Sequence, residues 1–256
     1  MLEIELIIGL VVAGACISTI AMAIGIGGGI LWTPLLILVY DLPPAEAVAT
    51  SLIIQVIGLA SGSFAYLREG LVITRLSFVF FLAALPAVLL GSFFTISLQQ
   101  DQVQLALGIM AMVLGVLFVS NQENSSTISN DVIPTIKDAR SLIPIPAFTG
   151  LIMGFLSVGI GEWIIPALKN RLGLSMNRAV GTVVLMMFLL VLSASTVHGL
   201  YSDNIHWQHF IWGAAGTVVG GQLGVYFAKK IPERLLKEAF IYLMTLIGIH
   251  LIFQSI

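Results

Sequence analysis

The sequence predicts an all-α polytopic membrane protein made of two inverted-topology repeats, each with a glycine-broken re-entrant hairpin and three spanning helices. Three observations predict this class. Of the 256 residues, 58% are hydrophobic and 9% are charged, whereas a soluble domain carries about 25% charged residues. Apolar runs follow one another in the same order on both sides of a polar stretch. Lys and Arg occur in only four of the loops between them.

The apolar runs define the organisation of the chain. Most of the longer ones approach the ~20 residues that a spanning helix needs, and they lie at 6–24, 45–66, 76–98, 103–120, 142–158, 177–200, 207–228 and 236–254. Two runs, 30–40 and 162–168, are too short to span; each follows a glycine cluster and contains a proline. We expect each to be a half-helix or a re-entrant piece. The predicted units are a first transmembrane repeat over 1–120, a cytoplasmic linker over 121–141 and a second transmembrane repeat over 142–256.

A weak internal repeat relates the two halves. An offset of 132 residues (159 − 27) aligns Gly27, Gly29 and Pro34 with Gly159, Gly161 and Pro166, and aligns Ala47–Thr50 with Ala179–Thr182. Both matches fall at corresponding places in the hydropathy profile. We therefore interpret the two halves as copies of one structural unit.

Charge placement predicts the orientation of each half. All eleven Lys and Arg residues fall in four loops, which the positive-inside rule places in the cytoplasm. At the same offset the loops 41–46, 68–75 and 99–103 correspond to 169–178, 201–206 and 229–237, and each pair joins an acidic loop to a basic one. The halves are therefore predicted to have opposite orientations, as in many secondary transporters. Both termini are then outside, and the segments 6–40 and 142–168 each enter and return on one side.

The first glycine cluster, GIGGGILWTP over 25–34, is the strongest candidate for function. A nucleotide-binding glycine loop needs a preceding strand in a soluble α/β context, and the sequence predicts neither. Two interpretations are left open. Small residues let helices pack closely in membranes. Alternatively, an unwound segment presents free amide N–H groups to an anion at the start of the half-helix 30–40.

The pattern G-x-G-G-G-x-x-x-x-P followed by A-V-[AG]-T, present in two copies, resembles the sulfite exporter TauE/SafE family over nearly the whole chain. The resemblance implies a membrane permease that exports small sulfur oxyanions or organosulfonates, such as sulfite and sulfoacetate. It carries the family motifs onto Gly27, Gly28, Gly29, Pro34, Thr50 and Ser51 in the first copy, and onto Gly159, Gly161, Pro166 and Thr182 in the second. We expect these residues to bind the substrate, with Thr33 inside the first motif. The hydroxyl groups could instead cap and pack helices.

Two further polar residues stand inside apolar runs. Gln55 can donate to an oxyanion or bind a neighbouring helix. Glu162 stands where the family usually continues with glycine, and charged groups at such depth are expensive and usually functional. An ionised Glu162 would repel an anion, but a protonated one would couple transport to the proton gradient. We predict this proton-coupling role; the alternative is a solvated acid at the membrane interface.

Several function classes compete. A secondary anion transporter is favoured by the repeat and its paired breaks; the alternatives are an anion channel and a transporter of a different small organic anion. An intramembrane enzyme would need a nucleophile with a base or a metal cluster, and the sequence predicts neither, so no cofactor and no metal are expected. The net charge of −2 gives no indication of nucleic acid. The expected partners are the lipid bilayer and a small anion, with a homodimer left open, in the cell (inner) membrane.

Overall fold

The computed structural model describes residues 2–120, 134, 136–201 and 205–230, with isolated positions at 242, 245 and 249. All regular structure in these residues is helical. The helices are α1 (Leu2–Ile24), α2 (Gly29–Leu38), α3 (Pro44–Arg68), α4 (Thr74–Ser97), α5 (Gln100–Ser120), α6 (Ile136–Ala139), α7 (Pro144–Leu156), α8 (Gly161–Leu172), α9 (Met176–Tyr201) and α10 (Trp207–Ala228), with a 3₁₀ turn over Arg140–Leu142. The predicted spanning run 236–254 and most of the linker 121–141 lie outside the described residues.

Five of these helices, α1, α3, α4, α9 and α10, are long and apolar enough to cross a membrane. Large apolar side chains such as Leu82, Leu90 and Val219 are exposed on their outer faces, which suits contact with lipid rather than water. The expectation of a multi-pass helical membrane protein is therefore confirmed. The helix α5 covers the predicted run 103–120 but is not one of the five.

Helix boundaries follow the offset found in the sequence. The helix ends at Ile24 and Leu156 are 132 residues apart (156 − 24), and the same offset separates the helix starts at Gly29 and Gly161 and those at Pro44 and Met176. Two breaks result, the first break over 25–28 and the second break over 157–160. Each opens with a residue at positive φ, Gly25 at 79° and Ser157 at 60°.

The helices beside the breaks differ from expectation in length. α8 continues past the predicted run 162–168 to Leu172, because its end is set by Gly173, whose φ of 64° provides a left-handed C-cap. α1 has 23 residues and α7 has 13. The helix α1 is thus long and apolar enough to cross a membrane, whereas each helix of a simple re-entrant hairpin needs only half that length.

Packing places α3 and α9 in the interior. These two helices contact each other, and α3 also packs on α10 while α9 packs on α4. The outer pairs are α1 with α10 and α4 with α7. Both outer pairs approach through glycine: a Cβ atom on Gly216 would lie 2.0 Å from the Val11 carbonyl oxygen, and one on Gly154 would lie 2.0 Å from that of Val88. Small residues at helix contacts are the usual means of close packing in membranes.

Candidate functional site at the crossing of two broken helices

The first and second breaks meet in the interior at a backbone contact, which we name the crossing. A Cβ atom on Gly27 would lie 2.5 Å from Gly159 Cα, and one on Gly159 would lie 2.3 Å from the Gly27 nitrogen. Both values are far below an ordinary van der Waals contact. The two glycine clusters are therefore in direct contact, and at these two positions glycine is required for close packing.

The contacts on either side of this pair run in reverse order. A Cβ atom on Gly29 would lie 1.8 Å from the Ser157 carbonyl oxygen, and one on Gly161 would lie 1.9 Å from that of Gly25. Gly29 and Gly161 therefore also serve packing. Gly28 differs, because the nearest atom to its Cβ position is 3.6 Å away. The structure thus separates the predicted glycines into four that hold the crossing together and one that does not.

Both half-helices begin at the crossing without a side-chain cap. The N-cap residues are Gly28 for α2 and Ile160 for α8, and neither makes a side-chain cap hydrogen bond. The first four N–H groups of a helix have no partner within the helix, and the N-terminus carries about half a positive charge. Two such helix ends at one place form an environment that favours negative charge.

A buried hydrogen-bond network joins α2 and α3 to the second break. Ser51 Oγ lies 2.8 Å from Thr33 Oγ1 and donates to Ser157 Oγ at 2.8 Å. Gln55 Nε2 donates to Ser157 Oγ at 2.6 Å and to the Ser51 carbonyl oxygen at 3.1 Å. The structure therefore brings together Thr33, Ser51 and Gln55, three of the expected substrate-binding residues. Sequence reasoning missed Ser157; its alignment with Gly25 at the offset of 132, at a position that needs positive φ, was the available signal.

The role predicted for Gln55 is altered by this geometry. Its Nε2 group has two hydrogens, and both are used within the network. Its Oε1 is buried and has no partner among the described residues. It lies 3.6 Å from the Cβ position of Gly27. The free atom of Gln55 is thus an acceptor, so direct donation to an oxyanion would require the network to rearrange.

The network is confined to one side of the crossing. At the offset of 132, the positions of Thr33, Ser51 and Gln55 correspond to apolar residues, which are Ile165, Val183 and Met187. All three are buried. These three polar positions therefore have no polar counterparts in the second half, which contributes Ser157 and Glu162 instead.

Glu162 lies in the first turn of α8 and is 8% exposed. Its Oε2 is 3.4 Å from the Cβ position of Gly159, and the backbone N–H groups of Gly27 and of Glu162 itself act on the carboxylate. Neither carboxylate oxygen reaches full hydrogen-bond geometry with a described residue. The alternative of a solvated interfacial acid does not fit this position.

Thr50 and Thr182 each accept a hydrogen bond from the backbone of the other half. The His206 N–H donates to Thr50 Oγ1 at 2.9 Å, and the Ile73 N–H donates to Thr182 Oγ1 at 3.0 Å. Each threonine therefore accepts a hydrogen bond from the backbone that precedes a spanning helix of the other half. The interpretation of these hydroxyls as packing groups is the one that their contacts support.

The two predicted prolines lie inside the half-helices. Pro34 is in α2 and Pro166 is in α8. A proline has no N–H, so each removes one hydrogen bond within its helix and frees the carbonyl group one turn earlier. Neither proline can join the hydrogen-bond network through its side chain, because a proline side chain has no polar atom.

A narrow cleft lies beside the crossing, with room for about one water molecule. Four helices line it, through Ile17, Ser18, Ala21 and Met22 of α1, Gly28 and Trp32 of α2, Gln55, Gly58 and Leu59 of α3, and Thr217 of α10. The lining has no charged side chain. Gly28 is the residue through which the cleft reaches the N-terminus of α2. In the described part of the chain, no three His, Cys, Asp or Glu side chains are grouped to hold a metal ion.

The spanning helices, the paired broken helices and the interior cleft define a multi-pass membrane transporter. The family follows from comparison: the sulfite exporter TauE/SafE family matches residues 10–251. The chain belongs to this family.

Curated relatives agree with this class. A probable membrane transporter protein of Bacillus subtilis, YunE, is 24% identical and covers 96% of this chain and 97% of its own. A probable membrane transporter protein of Xylella fastidiosa is 24% identical over 91% of this chain and 89% of its own. A second Bacillus subtilis protein, YdhB, is also 24% identical, over 90% and 94%. These relatives are named as transporters and not as enzymes. No solved structure matches the chain.

Proposed function

We propose that this protein is a secondary transporter that exports a small anion, of the sulfur oxyanion or organosulfonate class, across the cell membrane. The observation that carries the proposal is Gly28, which lines the cleft and is also the N-cap of α2. An anion in the cleft would meet the open amide N–H groups of that helix end, which is a general anion-binding arrangement. The apolar wall of Trp32, Met22 and Leu59 suits a small organic substituent on the anion.

We further propose that the two halves have opposite orientations in the membrane, with both termini outside the cytoplasm. The sign change between equivalent loops supports this arrangement. The reversed order of contacts at the crossing supports it too, because a two-fold axis between Gly27 and Gly159 relates Gly25 to Ser157 and Gly29 to Gly161. Such an axis in the membrane plane is typical of transporters that bind substrate at broken helices.

Glu162 is the proposed coupling group. Its carboxylate and the transported anion face helix N-termini that meet at the same crossing, so two negative charges there would repel each other. Protonation removes the charge of Glu162 and permits the anion to bind. Export of the anion is then linked to movement of a proton.

The anion site is tested by transport of labelled sulfite, thiosulfate, sulfoacetate and acetate in vesicles with the purified protein. The variant Gly28→Leu fills the cleft and is expected to abolish uptake. The matched control Gly199→Leu adds the same side chain where the nearest atom is 3.8 Å away, and it is expected to transport normally. Normal transport by Gly28→Leu would show that the cleft is not the anion site. Flux that does not saturate with anion concentration would favour a channel.

The coupling role is tested by Glu162→Gln, which keeps the shape of the side chain and removes its titration. We expect this variant to exchange anion without responding to an imposed pH gradient, whereas the native chain responds. Glu46→Gln is the matched control, because Glu46 also lies in the first turn of a helix. An equal response of the native chain and Glu162→Gln to the gradient would remove Glu162 from the coupling mechanism.

A further inference from the structure

Two side chains at the crossing hold acceptor atoms that make no full hydrogen bond with the described part of the chain. They are Gln55, through Oε1, and Glu162, through both carboxylate oxygens. Gln55 is 3% exposed and Glu162 is 8% exposed. Leaving a buried polar atom without a partner costs about 1–3 kcal/mol, and more for a charged group. Three such atoms at one place require an explanation.

The acceptors border the same backbone contact from the two halves of the chain. Gln55 Oε1 is 3.6 Å from the Cβ position of Gly27, and Glu162 Oε2 is 3.4 Å from that of Gly159. Gly27 and Gly159 are themselves in direct contact. A small ligand at the crossing would therefore be held by α3 of the first half and α8 of the second.

The fold itself does not need these polar groups. At the offset of 132, Gln55 corresponds to Met187 and Glu162 corresponds to Ile30. Met187 and Ile30 are buried in the equivalent surroundings. Apolar side chains therefore satisfy the same packing in the other half, and the two oxygen-bearing side chains serve something other than packing.

The chemistry of the free atoms indicates a cation. The Nε2 hydrogens of Gln55 are used elsewhere, so the three free atoms are all acceptors. Besides Glu162, the titratable side chains on α3, α8 and α9 are Glu46, Tyr66 and Arg68, then Lys169 and Arg171, then Arg178, His198 and Tyr201. None of them forms a hydrogen bond with the Glu162 carboxylate. In transporters with broken helices, oxygen atoms of unwound backbone carbonyls and half-helix C-termini hold H⁺ or Na⁺, and oxygen is also the atom that Gln55 and Glu162 leave free.

We propose that Gln55 Oε1 and the Glu162 carboxylate together hold one monovalent cation at the crossing, either H⁺ or Na⁺. The inference rests on the proposed function in one respect: the cation would be the ion coupled to anion transport. It extends that function by adding Gln55 as a ligand and by placing the cation between the two halves. Movement of the halves relative to each other would then change the affinity of the site for the cation.

The site is tested on the purified full chain without any anion. Equilibrium binding of ²²Na⁺ at pH 8 examines the Na⁺ case. Infrared difference spectra between pH 5 and pH 9 examine the H⁺ case, through the C=O stretch of a protonated carboxyl group. The variants are Gln55→Met, which places the residue of the equivalent position there, together with Glu162→Gln and Glu162→Asp. The matched control is Gln222→Met, at an exposed glutamine that binds Ser61.

If the cation is Na⁺, the native chain binds about one equivalent of Na⁺. Gln55→Met and Glu162→Gln each weaken this binding by about tenfold or more, because each removes one ligand worth about 1.4 kcal/mol. If the cation is H⁺, the native chain does not bind Na⁺ and shows a carboxyl band. That band is absent in Glu162→Gln and is shifted in Gln55→Met. Glu162→Asp restores the band or part of the binding, which shows that the site still folds. Gln222→Met changes neither readout.

The proposal would be overturned if the Na⁺ binding or the carboxyl band of the native chain were unchanged in Gln55→Met. It would also be overturned if the native chain showed neither Na⁺ binding nor a carboxyl band. Failure of the proposed transport function gives a different result. In that case the vesicles exchange none of the tested anions, while the cation readouts on the purified chain still respond to both substitutions.

Discussion

Two single variants, Gly27→Ala and Gly28→Ala, distinguish a glycine that packs at the crossing from its neighbour that lines the cleft. A Cβ atom on Gly27 would lie 2.5 Å from Gly159 Cα and 2.8 Å from its nitrogen. An ordinary contact begins at 3.4 Å, so the shortfall is 0.9 Å (3.4 − 2.5). The atoms in the way are backbone, and no rotamer change can move them. The two breaks must therefore separate by about 1 Å in Gly27→Ala, at an overpacking cost of about 1–3 kcal/mol.

Gly28→Ala provides the matched comparison. The backbone of Gly28 is right-handed, with φ −61° and ψ −18°, and the atoms nearest to its Cβ position are 3.6–3.7 Å away. Alanine fits there without strain, and we expect a change in stability within about 0.5 kcal/mol.

Thermal unfolding in detergent and anion exchange in vesicles measure the difference. A cost of about 2 kcal/mol corresponds to a decrease in Tm of roughly 4–8 °C for a chain of this size. We expect this decrease in Gly27→Ala, with loss of most exchange, and a near-native Tm in Gly28→Ala. If the two variants have the same Tm and exchange rate, the close approach at Gly27 does not hold the breaks together and the reasoning fails.

Two other predictions concern the ties between the halves and the topology. Thr50→Val and Thr182→Val each leave one backbone N–H without its acceptor, so each should destabilise the protein by about 1–3 kcal/mol, measured by thermal unfolding; unchanged Tm in both would show that these hydrogen bonds contribute nothing. In a Cys16→Ala background, Asn170→Cys at the basic end of α8 and Gln99→Cys in an acidic loop should react with an impermeant thiol reagent from opposite sides of the membrane. Reaction of both from one side would contradict the opposite orientations.

Local sequence features predicted the fold class and the location of the breaks. Hydropathy marked the helices, because a chain that lies in lipid must cover its spanning segments with apolar side chains. Glycine and proline marked the two short helices, since these residues interrupt a helix at the positions where they occur. The alignment of Gly27 with Gly159 even gave the pair that meets at the crossing. The exact reach of α8 was missed, because its end depends on the conformation of Gly173.

The roles of individual site residues came only from the tertiary structure. The sequence gives Gly27 and Gly28 the same chemistry, yet one contacts the backbone of the other half and its neighbour lines a cleft. Ser157 has no functional signature in its own segment, and it joins a network through residues about a hundred positions away.

The difference between these two kinds of knowledge has a physical origin. Composition, periodicity and helix-breaking residues act within a few turns of the chain, so the sequence alone determined a membrane-spanning helical protein with two equivalent breaks. Hydrogen bonds and van der Waals contacts at the crossing join atoms from opposite halves, and they depend on distances of a few tenths of an ångström. Only the folded arrangement decided that Gln55 and Glu162 retain free acceptors there, and that Thr50 and Thr182 do not.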